Sequence, residues 1–272
     1  MSEKSPADSQ IFEAAVAAAI EAGKVVYTCY RGEFDVHRKA DSSPVTDADH
    51  AAEAVILARL REAAPRIPIV AEEEVAAGRV PAVGSEFFLV DPLDGTKEFI
   101  QRRGDFTVNI ALIRNGVPVL GVVYAPAKNR LFAGNVTLNS AFRSDQDPDS
   151  AEIAERHSIR VRAVPSDGVT AVSSRSHSTP ETDAYLSQVK VAEQVSVGSS
   201  LKFCLVAAGE ADLYPRLGPT MEWDTAAGHA VLLAAGGTVS APGGGPLLYG
   251  KQGFRNTFFI ASGALTPPLL TP

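Results

Sequence analysis

The stretch VDPLDGTKEF, residues 90–99, places two carboxylates three positions apart at the end of an apolar run. Pro92 has no amide hydrogen for a sheet ladder, so we expect the strand to end at Asp91. Hard cations such as Mg²⁺ prefer carboxylate, carbonyl and water oxygens as ligands. Asp91, Asp94 and the Leu93 carbonyl suit such a cation, and the alternative is a turn whose aspartates cap backbone amides.

The next two residues add an anion-binding element to this stretch. Gly95 permits a sharp backbone bend, and Thr96 presents a hydroxyl and an amide where a short helical turn is expected to begin. Exposed amides at such a turn bind phosphate oxygens. Carboxylates next to a bound anion would repel it unless divalent cations lie between them. The motif therefore predicts metal-dependent chemistry on a phosphate.

Two other acidic positions could join this site. Glu72, Glu73 and Glu74 follow the apolar run IPIV, so at least the first lies at the end of a predicted strand. Asp224 stands at the start of a helix-like pattern rich in small residues. Taken alone, the glutamates are also typical of a solvated charge run, and Asp224 of a residue that complements the helix dipole.

Other common catalytic motifs are absent from the sequence. The five histidines and two cysteines show no pairing at zinc-ligand spacing. The sequence contains no GxxxxGK[ST], no GxGxxG after a strand with an acidic residue downstream, and no GxSxG. A metal in this protein is therefore expected to be a hard ion, and the usual signals for nucleoside triphosphate hydrolysis, dinucleotide binding and serine hydrolysis are missing.

The elements that must hold these residues follow from hydrophobic periodicity. Helical spacing over 9–31 and 49–64 predicts two helices that flank a polar loop. Four apolar runs predict strands, and Asn115-Gly116 between the last two is a hairpin signal. The runs are IPIVA, FFLVD, FTVNIALI and VPVLGVVYA. The first half is therefore expected to pack helices on a largely antiparallel sheet.

Downstream of the first half, the pattern changes. Residues 139–158 are polar with little periodicity, which predicts a surface excursion. From there, strand-like and helix-like segments alternate, as is typical of α/β layers. We therefore expect an N-terminal α+β subdomain, 1–160, with most metal ligands, and a C-terminal α/β subdomain, 161–272, with the substrate-binding residues and the last metal ligand.

Composition limits the partners and the compartment. The net charge of −7 argues against nucleic-acid binding through a broad basic surface. The N-terminus does not resemble a signal peptide, and no run is apolar and long enough to span a bilayer. Two widely separated cysteines suit free thiols in a reducing compartment. A cytoplasmic protein is expected, with peripheral association with the inner membrane and a homodimer left open.

Three motifs resemble those of one known family. The acidic pair at 72–73, DPLDGT at 91–96 and WDTAAG at 223–228 look like the motifs of the inositol monophosphatase superfamily of Mg²⁺-dependent, lithium-sensitive phosphatases. The resemblance spans almost the whole chain. It implies the α/β fold class, in an α+β layered form that alternates α-β-α-β-α layers, and two or three Mg²⁺ ions per site.

Within the superfamily, the chain most resembles the bacterial 3'(2'),5'-bisphosphate nucleotidases. The segments that carry this likeness are residues 41–49, DPLDGTKEFI, GDFTVNIALI, SSRSH and the long stretch 198–232. The last stretch is far more specific than the metal motifs, which all superfamily members share.

The resemblance implies a role for each matching residue. Metal ligation falls to Glu72, Asp91, the Leu93 carbonyl, Asp94 and Asp224. Thr96, paired with Asp49 of the VTDAD segment, would orient and activate the attacking water. Asp47 competes with Asp49 on sequence alone. Asp49 is preferred because it ends the VTxAD pattern at the family's distance ahead of Glu72.

For the substrate, the resemblance implies a separate set of contacts. Lys202 and Arg216 are expected near the phosphates, and Ser199 or Ser200 with His177 around the nucleotide. The full predicted set of substrate-binding residues is Gly95, Thr96, His177, Ser199, Ser200, Lys202, Arg216 and Asp224. Read without the family, Lys202 is equally a surface lysine, Arg216 a structural ion pair and His177 a capped loop residue.

The resemblance implies a phosphatase of small molecules. The expected reaction removes the 3'-phosphate of adenosine 3',5'-bisphosphate, and of its 5'-phosphosulfate form, by direct attack of a metal-activated water to leave AMP and phosphate. An inositol or other sugar monophosphate phosphatase would share the metal residues and is the enzymatic alternative. A non-catalytic, metal-dependent nucleotide-binding protein on the same fold is the alternative of another class.

Overall fold

The structure, a computed structural model, describes residues 8–38, 44–150, 152–174 and 179–270. Its described residues form two large sheets and three helical layers in the order α-β-α-β-α, with a further two-stranded ribbon, so the predicted layered α/β fold is confirmed. No helix in these residues is long and apolar enough to cross a membrane.

Two helices and a short ribbon open the described chain. Helix α1 (Asp8–Arg31) and helix α2 (Asp47–Ala63) match the two predicted helices and pack against each other. Between them, β1 (Val36–Arg38) pairs antiparallel with β2 (Pro44–Thr46), a ribbon that the sequence did not predict. The ribbon leads the chain directly into α2, which begins two residues earlier than its periodicity indicated.

A seven-stranded sheet forms the second layer, and its strands lie in chain order. The first pair of strands is parallel and the remaining pairs are antiparallel. The strands are β3 (Ile69–Ala71), β4 (Glu86–Asp94), β5 (Thr107–Arg114), β6 (Val117–Ala125), β7 (Arg130–Asn135), β8 (Ser140–Ser144) and β9 (Arg156–Ser158). The hairpin between β5 and β6 is confirmed, with positive φ at Asn115 and Gly116.

Two local expectations were wrong. Strand β4 does not end at Asp91 but continues through Pro92 to Asp94, and its register with β5 shifts between Asp91 and Asp94. This irregularity lets Pro92 lie within the strand although it has no amide to donate. The polar segment 139–158 is likewise not all excursion, because it supplies the last two strands of the sheet, β8 and the edge strand β9.

Both faces of the seven-stranded sheet are covered, which explains its unbroken apolar runs. Along β4, Phe88 and Val90 join the core under α1 and α2. The intervening Phe87 and Leu89 join a second core on the opposite face. Successive side chains of a strand point to opposite faces, so a strand buried on both sides must be apolar throughout.

Shorter helices and a second sheet complete the layers. Two follow β3 and β4 directly: α3 (Glu72–Ala76) and α4 (Thr96–Ile100). The other helices are α5 (Pro180–Leu186), α6 (Leu201–Ala207), α7 (Ala226–Ala234) and the 3₁₀ turns Pro126–Lys128 and Gln252–Phe254. The second sheet contains β10 (Val169–Ser174), β11 (Val191–Val197), β12 (Leu213–Arg216), β13 (Thr238–Ser240) and β14 (Phe259–Ser262), in the spatial order β11-β10-β12-β14-β13.

The middle helices join the two sheets through one core. Helix α7 packs on β6 and β7, and α6 packs between α7 and the second sheet. A Cβ on Gly121 of β6 would lie 2.3 Å from the Ala227 carbonyl oxygen, so only glycine allows α7 to approach this closely. The same core contains Phe132 of the first sheet and Phe203 of α6. The division into subdomains near residue 160 stays a prediction.

Candidate active site

The pairing of β3 with β4 brings the first two acidic motifs together. The strands run parallel, with Ala71 beside Val90. Because the carboxyl ends of parallel neighbours meet at one edge of a sheet, Glu72 after β3 lies beside Asp91 near the end of β4. Two motifs separated in the sequence therefore become neighbours through sheet register alone.

The three consecutive glutamates face three different surroundings. Helix α3 begins at Glu72, and successive helical residues point about 100° apart. Glu72 lines a cleft, Glu73 is buried, and Glu74 forms a 2.8 Å ion pair with Arg79. Only Glu72 is therefore placed to act in the cleft, and Glu74 alone fits the charge-run interpretation.

The bend after Asp94 requires glycine. Gly95 has φ 96° and ψ 38°, and a Cβ there would lie 2.9 Å from the Asp105 carbonyl oxygen. An L side chain would meet both the left-handed strain and the backbone clash. The bend turns the chain from β4 into α4, whose first residue is Thr96. The expected bend and helical turn are both confirmed.

The structure distinguishes between Asp49 and Asp47. Asp49 is buried, and its Oδ2 accepts hydrogen bonds from the amide and hydroxyl of Thr46 at 2.8 and 2.7 Å. Its Oδ1 lies 3.4 Å from the Thr96 hydroxyl. Asp47 is exposed, and its Oδ1 lies 3.6 Å from His37 Nε2. Residues two apart on a helix do not share a face, so only Asp49 can meet Thr96.

Asp224 reaches the cleft from the loop before α7. Its Oδ2 accepts a hydrogen bond from the Met221 amide at 2.8 Å, which orients the carboxylate. Its carbonyl oxygen lies 2.8 Å from the Ser200 hydroxyl, which also lies 3.0 Å from Asp94 Oδ2. Since a hydroxyl has one proton, Ser200 donates to one of these oxygens at a time. Ser200 thus ties the two acidic segments together.

Sequence reasoning missed Asn109, which completes this connection. Its side-chain amide donates to the Ser200 hydroxyl at 2.8 Å and lies 3.5 Å from Asp94 Oδ2. Asn109 is fully buried on β5. A lone amide in the middle of the apolar run FTVNIALI was the available signal, because buried polar groups need partners.

These elements surround a cleft of about 300 Å³. Ten of the predicted site residues line it: Glu72, Asp91, Leu93, Asp94, Gly95, Thr96, Ser199, Lys202, Arg216 and Asp224. Ser200 and Asp49 lie behind its wall, where each bonds a residue that faces the cleft. His177 lies outside the described residues. Lys97, Tyr214 and Thr220 also line the cleft and were not predicted.

The acidic wall is electrostatically crowded. Burial, followed by the charges of Glu72, Asp94 and Asp224, holds the pKa of Asp91 well above its usual range. Burial and the charges of Asp94 and Glu72 do the same to the pKa of Asp224. Burial also raises the pKa of Asp94, although Lys202 opposes this shift. The carboxylates repel one another, so positive charge placed between them would stabilise the ionised forms.

The donors on this wall fit a hard divalent cation. The described residues that line the cleft include the Leu93 carbonyl and five carboxylates, those of Glu72, Asp91, Asp94, Glu98 and Asp224, but no histidine or cysteine. The described part of the chain contains no group of three or more His, Cys, Asp or Glu side chains already gathered around one ion position. Mg²⁺ does not require such a group, because it keeps several waters and uses few protein carboxylates.

Lys202 brings a buried basic side chain to the same cleft. Its side chain is 4% exposed, and Nζ donates to the Ser199 carbonyl at 2.5 Å. Burial lowers the pKa of Lys202 to about 8, and the charge of Asp94 opposes this shift. A lysine buried to this degree is not a surface lysine, so that interpretation is wrong.

Arg216 is the second basic side chain of the cleft. It is 9% exposed and donates to the Pro219 carbonyl at 2.9 Å. Its Nε is buried without a hydrogen-bond partner among the described residues, and no carboxylate of those residues forms an ion pair with it. The interpretation as a structural ion pair is therefore not supported. A buried guanidinium with unused donors suits an anionic ligand in the cleft.

Comparison with known proteins agrees with the motifs. The inositol monophosphatase family model matches residues 7–260. A Shigella flexneri protein named 3'(2'),5'-bisphosphate nucleotidase CysQ is 48% identical over 247 residues, covering 90% of this chain and 96% of that protein. The protein of the same name from Escherichia coli strain K12 is 47% identical, with the same coverage.

A solved structure gives the same result for the fold. The crystal structure of CysQ from Bacteroides thetaiotaomicron, described as a bacterial member of the inositol monophosphatase family, superposes with a TM-score of 0.77 at 40% identity. The match covers 93% of this chain and 97% of that one. This chain therefore belongs to the inositol monophosphatase family, as its three motifs predict.

Proposed function

We propose that this protein is a Mg²⁺-dependent 3'(2'),5'-bisphosphate nucleotidase that removes the 3'-phosphate of adenosine 3',5'-bisphosphate to give AMP and phosphate. The relatives named as bisphosphate nucleotidases, 47–48% identical over nearly their full length, support the substrate class. The 5'-phosphosulfate analogue, which carries the same 3'-phosphate, is proposed as a second substrate.

One observation supports the proposal: carboxylates and two buried basic side chains, Lys202 and Arg216, line the same cleft. The acidic side suits cations that bind a phosphate undergoing hydrolysis, and Lys202 with Arg216 suits further negative charge on the same molecule. A substrate with two phosphates can use both the carboxylates, through bound cations, and the basic side chains. A polyol with one phosphate needs fewer positive donors, which favours the nucleotide.

The metal would be held by oxygen ligands alone. We assign this role to Glu72, Asp91, the Leu93 carbonyl, Asp94 and Asp224, for two or three Mg²⁺ ions. When bound, the ions supply positive charge to the phosphoryl group and its leaving oxygen and lower the pKa of water.

The remaining chemistry falls to side chains of this chain. When the Thr96 hydroxyl donates to Asp49 Oδ1, the hydroxyl oxygen is left as an acceptor that orients a water for in-line attack on phosphorus. Asp49 is then placed to take the proton passed through Thr96. Lys202 and Arg216 hold the substrate's negative groups, and Ser200 keeps Asp94 and Asp224 in place. No covalent phosphoenzyme is required.

The substrate assignment is tested by phosphate release with Mg²⁺ present. Adenosine 3',5'-bisphosphate, its phosphosulfate analogue and inositol 1-phosphate are compared, each with and without lithium. We expect kcat/KM for the bisphosphate to exceed that for inositol 1-phosphate by about 10²-fold or more, as one or two charge-assisted contacts supply. A preference for inositol 1-phosphate would overturn the substrate and leave the metal chemistry standing.

Replacing Lys202 by methionine should mainly weaken substrate binding. The loss of a buried charge-assisted contact is expected to raise KM for the bisphosphate about 10- to 100-fold, with a smaller effect on kcat. Steady-state kinetics measures both. Lys190→Met is the matched control, because Lys190 is exposed and its Nζ bonds only the Ser166 carbonyl among the described residues. An unchanged KM in Lys202→Met would remove Lys202 from the substrate site.

A further inference from the structure

Helix α2 carries two buried carboxylates on the same face. Asp49 and Glu53 are one helical turn apart and are 2% and 4% exposed. Asp49 reaches Thr96, as described above. Glu53 reaches another part of the site, since its Oε2 accepts a 2.9 Å hydrogen bond from the Glu73 amide.

This hydrogen bond falls where α3 needs a cap. The first amides of any helix have no partner within it, and a side chain at the N-cap usually supplies one. The N-cap of α3 is Ala71, which has no polar side chain, and no side-chain cap is made there. Glu53 therefore caps α3 from a different helix.

The position of α3 decides where Glu72 points. Glu72 is the first residue of α3, and its neighbour Glu73 provides the amide that Glu53 holds. Helix α3 has five residues, too few to be stable without tertiary contacts. In so short a helix, the Glu53 carboxylate that holds the Glu73 amide also limits the direction in which the adjacent Glu72 side chain points.

Burial of the Glu53 carboxyl at this position is energetically unfavourable, which suggests that the residue has a specific role. Its carboxyl is buried close to three other acidic side chains, those of Glu72, Glu73 and Glu74. Burial, followed by these charges, raises the pKa of Glu53 to about 7. A buried apolar residue would avoid the repulsion, but it could not accept the amide hydrogen bond.

We propose that Glu53 is a positioning residue, which holds the start of α3 so that the Glu72 carboxylate faces Asp91 in the cleft. The proposal rests on the assignment of Glu72 as a metal ligand. Residues that orient a metal ligand typically affect metal affinity 10- to 100-fold when they are replaced.

Three substitutions separate the hydrogen bond from the charge. Glu53→Gln keeps an acceptor at the same distance without the charge. Glu53→Asp keeps the charge on a side chain too short to reach the amide, and Glu53→Ala removes both. The matched controls are the same three changes at Glu62, which lies on α2 with a side chain 77% exposed.

Two readouts do not depend on the substrate. Mn²⁺ affinity of each variant is measured by calorimetry, and exchange of the Glu73 amide is measured by NMR in the metal-free protein. We expect Glu53→Asp and Glu53→Ala to lose about 10- to 100-fold in Mn²⁺ affinity and to exchange the Glu73 amide faster. Glu53→Gln should stay close to the wild type in both readouts, and the Glu62 variants should change neither.

Two results would overturn the proposal. One is a wild-type Mn²⁺ affinity in Glu53→Asp, and the other is a loss of Mn²⁺ affinity in Glu53→Gln as large as that in Glu53→Asp. If Glu53→Ala does not fold, the Gln and Asp variants decide by themselves. Failure of the bisphosphate assay with the wild type would count against the substrate assignment only, because neither readout involves a nucleotide.

Discussion

Asp49→Asn is expected to lower kcat about 10²- to 10⁴-fold and to leave the fold intact. Asparagine keeps an oxygen that can accept the Thr46 amide hydrogen bond, so the start of α2 stays capped. It has no negative charge and cannot take up a proton passed through Thr96. The substitution therefore removes the chemistry that we assign to Asp49 and spares its structural contact.

Steady-state phosphate release and thermal unfolding measure the two effects of Asp49→Asn separately. Asp47→Asn is the matched control, because Asp47 is in the same helical turn but is exposed and lies near His37. It should retain nearly wild-type kcat. Equal kcat values for Asp49→Asn and the wild type, with a fall in Asp47→Asn, would reverse the assignment between the two aspartates.

Asp91→Asn should abolish activity while it stabilises the metal-free protein. Asp91 lies at the centre of the acidic wall, and asparagine can still accept the Leu93 amide hydrogen bond made by Asp91 Oδ1 at 2.9 Å. Loss of a central metal carboxylate is expected to lower kcat about 10³-fold or more. Without metal, removing one charge relieves the repulsion, and we expect the free energy of unfolding to rise by about 1–3 kcal/mol.

The stability gain should depend on pH. Above pH 3.8 an unfolded chain has Asp91 ionised, whereas the folded metal-free protein keeps it protonated up to its raised pKa. Folding therefore takes up a proton in this range, and Asp91 makes stability fall as pH rises from about 4 towards the folded-state pKa. Asp91→Asn lacks this pH-dependent loss of stability. The difference in free energy of unfolding between the variant and the wild type should therefore grow with pH until the folded-state pKa of Asp91 is passed.

Denaturant unfolding in the presence of a chelator, repeated between pH 4 and 8, measures the stability change in Asp91→Asn. Asp212→Asn is the control of opposite sign. Asp212 is also buried, but its hydrogen bonds with Arg162 and the Thr170 amide outweigh burial and lower its pKa. That substitution should destabilise the protein near neutral pH. A metal-free Asp91→Asn protein less stable than the wild type at pH 7 would contradict the repulsion described here.

The amino-acid sequence by itself determined the local elements and the chemical character of the site. Strand β6 matches the apolar run VPVLGVVYA, and the hairpin forms at Asn115-Gly116, because both depend on neighbouring residues. The spacing of Asp91 and Asp94 around Pro92 indicated a hard-metal site for the same reason. The motif resemblance predicted the family and the layered fold, and the comparisons confirm both.

Tertiary structure decided which of several adjacent candidates belong to the site, a choice that the family resemblance indicated and that local residue patterns left open. Asp49 was separated from Asp47, and Glu72 from Glu73, by the rotation of each helix once it was packed on the sheet. The continuation of β4 past Pro92 depended on a register shift against β5. These outcomes depend on contacts between residues far apart in the chain, and local patterns carry no information about those contacts. For the same reason, the sequence did not single out Glu53. This residue lies on α2, and the amide that it binds belongs to α3.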